Sequence, residues 1–193
     1  MLLVVAATER ELESVHGVET LCCGIGPVEA GVRTARALAE RRPDALLHIG
    51  VAGARGIEPP ALVLGSEAVY SDLVDASSRL PRVERVEPDP ALLAAARAAL
   101  PEALVLPIAT CARVGGGTAC DVEAMEGFGV LRAAQLAGVP AVELRAVSND
   151  PGEPDRGRWR IPDALAALER ALSRLLPALQ SGHVQVSDTH AEA

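Results

Sequence analysis

The alternation of short apolar segments with longer amphipathic ones constrains the fold more than any other feature of this sequence. Residues 2–6 and 45–51 are almost wholly apolar, and between them residues 27–42 carry apolar side chains at helical spacing. Apolar strands that lack polar alternation are buried on both faces, so helices must cover the sheet from both sides. The sequence therefore predicts an α/β fold, specifically a three-layer α/β sandwich.

The same reading extends along the chain without an internal repeat or a linker, which predicts one domain over residues 1–180. The segment 71–88 is expected to be a surface loop, and the polar segment 181–193 a flexible tail. The predicted strands are 2–6, 18–23, 45–51, 62–69, 104–110 and 141–148, and the predicted helices are 9–15 (or a turn), 27–42, 90–100, 123–137 and 162–179.

Composition excludes several classes of function. The net charge of −8 argues against nucleic acid as a partner, because phosphate binding requires a basic surface. All 18 basic residues are arginine, which excludes chemistry that depends on a P-loop or Schiff-base lysine. The four cysteines form no Cys-x-x-Cys pair and the four histidines are scattered, so neither a metal nor a cofactor is predicted.

The apolar runs are too short to span a membrane, so no membrane partner is predicted. The first seven residues are apolar but lack a basic segment before them, which favours a buried strand over a signal peptide. Free thiols are typical of a reducing compartment, and we expect the protein to be cytoplasmic.

Unusual residues follow several predicted strands, where ligands bind in α/β sheets. The glycines at 24 and 26 match the first half of a dinucleotide-binding fingerprint, but Glu29 stands where the third glycine belongs. This argues against a Rossmann cofactor site. The segments concerned are 8–11, 24–31, 48–53, 121–129 and 143–150.

Residues 123–129 (EAMEGFG), followed later by residues 145–149 (RAVSN), resemble the purine nucleoside phosphorylase and nucleosidase superfamily. The acidic loop after the first strand and the glycine segments 24–26 and 50–53 occur in that family's order. EAMEGF and the loop GIGPVEA are most similar to the futalosine hydrolases, nucleosidases of menaquinone synthesis. The resemblance implies a nucleoside phosphorylase/hydrolase-like fold with a central mixed sheet, a small-molecule nucleoside substrate and a homo-oligomer.

The resemblance also implies hydrolysis of an N-glycosidic bond, here of futalosine to hypoxanthine and dehypoxanthine futalosine. Met125 and Glu126 would hold the ribose hydroxyls, because a carboxylate accepts hydrogen bonds from both and stabilises an oxocarbenium-like transition state. Glu11 would position and deprotonate the attacking water, with Glu9 as the neighbouring candidate. The alternative for both is a solvated helix start. The remaining implied substrate-binding residues are Ala52, Gly53, Phe128 and Ser148.

Asn149 is the only asparagine in the chain, and it matches the position where adenine-specific members of the family carry aspartate. Its amide offers two donors, which suit N7 and O6 of a 6-oxopurine. Asp150 takes the proton-donor role if the strand register differs by one. The alternative is that residues 149–152 form only a turn. Likewise, Asp121 and Glu123 are ordinary acidic residues for the first turn of a helix.

Three other functions compete with a futalosine hydrolase. A purine nucleoside phosphorylase needs cations for phosphate, and Arg10, Arg55 and Arg113 are available. A methylthioadenosine/S-adenosylhomocysteine nucleosidase-like enzyme would share most of the motif, and a non-catalytic nucleoside-binding module would keep only the fold.

Two loops decide how the ends of the substrate are held. Segment 109–121 shows no aromatic residue to stack on the base, so Val114 or its neighbours would do so. Futalosine carries a benzoate beyond the 5′ carbon, and a carboxylate is suited to a guanidinium partner. Arg156, Arg158 and Arg160 flank Trp159 and are predicted to close over that carboxylate, the alternative being a solvated loop.

Overall fold

The computed structural model describes residues 1–74, 81–116 and 118–182. In that part of the chain the order of strands and helices follows the prediction, with two short strands in addition. The predicted tail lies outside the described residues apart from residues 181 and 182, which belong to the last helix. The strands are β1 (Leu2–Ala6), β2 (Glu19–Cys22), β3 (Ala45–Ala54), β4 (Leu62–Tyr70), β5 (Arg85–Val86), β6 (Leu104–Thr110), β7 (Val122–Ala124) and β8 (Ala141–Asn149), and the helices are α1 (Glu9–Leu12), α2 (Pro27–Arg41), α3 (Pro90–Ala99), α4 (Gly127–Ala137) and α5 (Ile161–Gly182).

The sheet is mixed, and part of it closes into a ring. Strands β2, β1, β3 and β8 are parallel neighbours, whereas β4 runs antiparallel to β8. From β4 the pairing continues through β6 to β7, which pairs antiparallel with the end of β3. The register shifts between Ala52 and Gly53 on β3 and between Gly65 and Glu67 on β4, and such bulges bend a strand. The predicted mixed sheet is confirmed.

Helices cover both faces of this sheet, which confirms the three-layer prediction. On β1, Leu2 and Val4 pack in the cluster that contains the apolar faces of α3 and α5. Leu3 and Val5 point the other way, into the cluster formed with α2 and α4. Successive side chains of a strand alternate between faces, so a wholly apolar strand fits only between two helix layers.

The predicted helix 123–137 is wrong at its start. Val122 and Glu123 pair with Ala54 and Gly53 of β3, and the same strand pairs with β6, so this segment is β7. Helix α4 begins only at Gly127. Tertiary strand pairing here overrides the local helical pattern. Smaller differences are β3, which extends to Ala54, and β5, which lies inside the predicted loop 71–88.

Two glycines at the start of α4 allow close packing. A Cβ atom at Gly129 would lie 2.4 Å from the carbonyl oxygen of Pro27, and the backbones of α2 and α4 meet there beside Gly31. A Cβ atom at Gly127 would lie 2.5 Å from both carboxylate oxygens of Glu143. The glycines therefore bring the first turn of α4 against α2 and β8. No described helix is long and apolar enough to cross a membrane.

Candidate active site

A cavity of about 300 Å³ lies where β1, β3, β7 and β8 end. Strand ends at one edge of an α/β sheet are the usual place for a ligand, as the sequence predicts. Most of the predicted site residues line it, together with residues that received no role from the sequence. The lining consists of Ala7, Thr8, Arg10, Glu11, Ile25, Val51, Ala52, Gly53, Arg113, Val114, Glu123, Ala124, Met125, Glu126, Ser148, Asn149, Trp159, Ile161 and Leu165.

Glu11 is held in the cavity by the single turn of α1. Its Oε2 accepts hydrogen bonds from the backbone N–H and the hydroxyl of Thr8, at 3.0 and 2.8 Å, which forms a capping box. Its Oε1 accepts from the N–H of Val51 at 3.0 Å. Three donors thus fix a buried carboxylate beside β3. Glu9 is exposed and does not line the cavity, so of the two acidic residues it is Glu11 that faces the cavity.

Glu126 stands at the N-cap of α4 and faces the same cavity. Its Oε1 accepts a hydrogen bond from the N–H of Gly26 at 3.1 Å, and its Oε2 lies 3.6 Å from Nη2 of Arg145. Burial raises the pKa of the Glu126 carboxyl, although the charge of Arg145 and the Gly26 hydrogen bond partly offset the effect. Met125 lines the cavity next to it.

Arg145 connects these carboxylates from beneath the cavity. It is 1% exposed, and its Nε donates to Glu143 Oε1 at 2.8 Å. Burial alone lowers the pKa of Arg145, but the charges of three carboxylates raise it on balance, so the guanidinium stays protonated. Sequence analysis gave Arg145 no role. The signal was available, since Glu143 and Arg145 are charged residues two apart in a strand whose other residues are apolar as far as Val147. The three carboxylates are Glu143, Glu126 and Glu11.

His48 completes the buried cluster as a neutral side chain. Burial, aided by the charge of Arg145, holds its pKa well below the usual range. Its Nδ1 lies 3.0 Å from the carbonyl oxygen of Val5, and its Nε2 contacts Nη2 of Arg145. Because a guanidinium only donates, Nε2 accepts, and the ring proton must sit on Nδ1 and point to Val5. His48 therefore orients Arg145 without adding charge.

Asn149 and Ser148 lie at the end of β8 on the cavity wall, as predicted. The Asn149 side chain is 7% exposed, its Oδ1 accepts from the Ser148 hydroxyl at 2.7 Å, and its Nδ2 donates to the carbonyl of Asp150 at 3.0 Å. One of its two amide hydrogens is thereby used within the protein. The second amide hydrogen is available to a ligand. Asn149 therefore offers one free N–H, and not the two that the sequence predicted.

Two predicted site residues lie off the cavity wall. Asp150 is exposed, and its carboxylate accepts from the N–H of Gly152 at 2.7 Å, so the turn interpretation describes Asp150 rather than Asn149. Phe128 stacks on Tyr70 with ring centroids 5.1 Å apart. Neither belongs to the cavity lining. Ala52 and Gly53, in contrast, line it from β3.

Glu123 is the cavity residue that the sequence misplaced most clearly. It is 5% exposed on β7, where its Oε2 pairs with Nη2 of Arg55 at 2.9 Å. Its Oε1 accepts from the N–H of Gly115 at 2.6 Å, which ties the segment carrying Val114 to the cavity. The signal in the sequence was an acidic residue two positions before Met125. The sequence analysis assigned this residue to the first turn of a helix instead of to the site.

The loop after β8 contributes an aromatic side chain but no cation to the cavity lining. Trp159 lines the cavity and donates through Nε1 to the carbonyl of Glu153 at 3.2 Å. Arg156 lies over the Trp159 ring, 5.4 Å from its centroid. Arg158 pairs with Glu153, and Arg160 with Asp163.

The guanidinium groups that do line the cavity are those of Arg10 and Arg113. No ion pair joins either of them to a carboxylate within residues 1–74, 81–116 and 118–182. Arg55, the third cation considered for phosphate, pairs with Glu123. The available positive charge is therefore at Arg10 and Arg113.

Comparisons with known proteins agree with this arrangement. The family model described as the phosphorylase superfamily matches residues 13–180. A futalosine hydrolase from Streptomyces coelicolor is 38% identical and covers 86% of this chain and 81% of its own length. One from Thermus thermophilus is 48% identical over 56 residues, which is 29% of this chain and 25% of that protein.

Solved structures show the same fold. A 5′-methylthioadenosine/S-adenosylhomocysteine nucleosidase from Neisseria meningitidis superposes with a TM-score of 0.81 at 21% identity, over 92% of this chain and 99% of that one. A futalosine hydrolase mutant from Helicobacter pylori superposes with a TM-score of 0.78 at 19% identity, over 93% and 98% of the two chains. At these identities the likeness concerns the fold.

Proposed function

Because the chain belongs to the phosphorylase superfamily and, within it, to the futalosine hydrolases, we propose that it hydrolyses futalosine to hypoxanthine and dehypoxanthine futalosine in menaquinone synthesis. The observation that carries the proposal is the pair of buried carboxylates, Glu11 and Glu126, fixed on one cavity around Arg145. A single cavity with two fixed carboxylates suits a reaction that needs both a base for water and an anion near a cationic transition state.

Glu126 holds the ribose. An ionised carboxylate accepts hydrogen bonds from two neighbouring hydroxyls, and its negative charge stabilises the oxocarbenium-like sugar as the glycosidic bond breaks. Arg145 and the N–H of Gly26 favour the ionised form against the effect of burial. Met125 supplies an apolar contact beside the ribose.

Glu11 is the base for the attacking water. Its oxygens face the cavity while Thr8 and Val51 fix their position, so a water on Glu11 is held in one place. The water oxygen forms the new bond to C1′, its proton passes to Glu11, and the electron pair of the broken bond leaves with the base. The N–H of Asn149 then stabilises the negative charge that develops on the purine.

Hydrolysis fits this cavity better than phosphorolysis. A phosphate ion at the position of the water would lie against two carboxylates, and like charges repel. Arg10 and Arg113 are the cations on the cavity wall that could favour phosphate, which keeps a phosphorylase as the second candidate.

The test is incubation with futalosine, inosine and methylthioadenosine, with and without phosphate, and measurement of released base and free sugar. We expect hypoxanthine release from futalosine at the same rate with and without phosphate. Release that requires phosphate would identify a phosphorylase, and preferred release of adenine would identify a methylthioadenosine/S-adenosylhomocysteine nucleosidase-like enzyme. Binding of a nucleoside without turnover would identify a binding module.

The proposal includes one domain over residues 1–180 and a homo-oligomer that acts in the cytoplasm. An apolar row supports self-association: Ile25, Val28 and Val32 are 63%, 73% and 64% exposed and run from the cavity along α2. Large apolar side chains exposed together are typical of an interface. Light scattering on the purified protein measures the mass, and a monomer at micromolar concentration would contradict this part.

A further inference from the structure

Glu123 is a buried carboxylate on the cavity wall that the hydrolytic steps do not use. Arg55 and the N–H of Gly115 each contact one of its oxygens. A carboxylate oxygen has two acceptor sites, so both oxygens keep one for a ligand. The guanidinium of Arg55 also compensates for the burial of the negative charge. Glu123 is thus held in place by these two donors, and its carboxylate can accept further hydrogen bonds from a ligand but cannot donate one.

The strand register places Glu123 opposite Asn149. Glu123 pairs with Gly53 on one side of β3, and Asn149 pairs with Gly53 on the other side. Residues paired across neighbouring strands point to the same face of a sheet, and both side chains line the cavity. A Cβ atom at Gly53 would lie 3.0 Å from Cγ of Pro151 and 3.3 Å from Asn149 Nδ2, so the close packing between the two side chains requires a glycine.

The spacing of this row matches the edge of a purine. Two strand spacings separate the outer Cα atoms by roughly 9–10 Å. Paired side chains leave a sheet side by side, so their polar ends are separated by a similar distance, and a purine with a hydrogen bond of about 2.9 Å on each side of its C6 position spans it. N7 and N1 are the ring nitrogens on the two sides of C6. The single free N–H of Asn149 suits N7, which accepts in every purine.

We propose that Glu123 determines specificity for 6-oxopurines by accepting a hydrogen bond from N1–H of the base, across Gly53 from Asn149. In hypoxanthine and guanine N1 carries a hydrogen, whereas in adenine N1 is an acceptor and faces the carboxylate unfavourably. The inference rests on the proposed function for the presence of a purine. In this proposal Glu123 and Asn149 distinguish the bases together. Asn149 alone cannot, because its one free N–H suits N7, which accepts in every purine.

The experiment measures binding of free bases, which does not require turnover. Calorimetry compares hypoxanthine with adenine on the wild type, on Glu123→Gln and on a matched control, Glu67→Gln. Glu67 also pairs with an arginine, Arg85, but lies off the cavity wall. We expect the ratio of affinities for hypoxanthine over adenine to fall about ten- to a hundredfold in Glu123→Gln, as for loss of a charge-assisted hydrogen bond. Glu67→Gln should keep the wild-type ratio.

A merely structural role predicts a different result. If Glu123 only anchors the segment at Gly115, Glu123→Gln weakens both bases equally and the ratio stays constant, which would overturn the proposal. Should the variant fail to fold, the wild type is tested with 1-methylhypoxanthine, which has no N1–H: binding as tight as that of hypoxanthine would also overturn it. A wild type that prefers hypoxanthine in this way but releases no base from any nucleoside contradicts the hydrolysis, and not the recognition by Glu123.

Discussion

The two halves of the cavity are built differently. The hydrolytic half consists of Glu11, Glu126 and Arg145, and the base half consists of Glu123 and Asn149. In the hydrolytic half the polar groups are fixed by one another and by backbone N–H groups, and Arg145 is almost wholly buried. In the base half each side chain keeps hydrogen-bonding capacity for a ligand. The hydrolytic half is thus suited to stabilising charge in the transition state, and the base half to distinguishing one purine base from another.

This difference implies that the two halves affect different measurements. Changes in the hydrolytic half should lower turnover for every nucleoside, since all substrates share the ribose and the water. Changes in the base half should alter the ratio between substrates. A substitution that affects the wrong quantity would show that the division is incorrect.

The largest effect is expected for Glu11→Ala. General base catalysis contributes on the order of a hundred- to ten-thousandfold, so kcat should fall by about a thousandfold while the nucleoside still binds. The measurement is kcat by single-turnover kinetics and Kd by calorimetry. Glu9→Ala is the matched control, because Glu9 lies two residues before Glu11 and is exposed. If Glu9→Ala is inactive and Glu11→Ala is active, the water is held by the other carboxylate.

Glu126→Gln should lower kcat/KM by about a hundredfold or more, because the amide removes the negative charge that stabilises the transition state. The loss should be equal for hypoxanthine and adenine nucleosides, which distinguishes it from a change in the base half. Circular dichroism checks that the fold is intact. Activity like that of the wild type in a folded Glu126→Gln protein would remove the proposed mechanism.

The base half is tested by Asn149→Asp. A protonated aspartic acid has one donor and one acceptor, which complement N7 and N6 of adenine. One unsatisfied buried polar group costs about 1–3 kcal/mol, so the ratio of kcat/KM for the hypoxanthine and adenine nucleosides should move toward adenine by roughly ten- to a hundredfold. If this ratio stays constant, Asn149 does not take part in recognition of the base.

These two halves also differ in how far the sequence predicts them. Glu11 and Glu126 stand in the short segments that resemble the nucleosidase family, and it is this resemblance that implies a role in the site for both. Glu123 reaches the cavity only because residues 122–124 pair with β3 and β6, and pairing between distant strands has no local signal. The sequence likewise gives no signal that Phe128 lies off the cavity wall, because it stacks on Tyr70, which comes from a distant strand.

The three-layer arrangement could be predicted from single strands such as Leu2–Ala6. This strand is apolar throughout, and its alternate residues enter two separate cores. Closure of the sheet into a ring could not be predicted, because it depends on the register shift between Ala52 and Gly53 and on the three-residue strand β7. A strand of three residues is too short for a period-two pattern to be distinguished from a helix.

Acid should inhibit the enzyme through Glu126. Burial raises the pKa of this carboxyl above the ordinary value of 4.5, so it takes up a proton at a higher pH than an exposed glutamate. The ionised form is the active one, and kcat/KM, which reports the free enzyme, should therefore fall about tenfold per pH unit below the raised pKa. The folded state binds this proton more tightly than the unfolded state, so stability from Glu126 is lost as pH rises through the folded pKa. A pH profile of kcat/KM whose acid limb lies at or below 4.5 would contradict the assignment.

The smallest effect concerns the carboxylate of futalosine beyond the 5′ carbon. Arg10 lines the cavity and forms no ion pair with a carboxylate among the described residues, whereas each arginine of the 156–160 loop has a partner of its own. An exposed ion pair contributes about 0.2–1 kcal/mol, so Arg10→Ala should raise KM for futalosine about 1.4- to fivefold. Inosine has no such carboxylate, and its KM should not change. Replacing all three loop arginines by alanine should leave both KM values unchanged, and a rise for futalosine in that variant but not in Arg10→Ala would show that the loop binds the carboxylate.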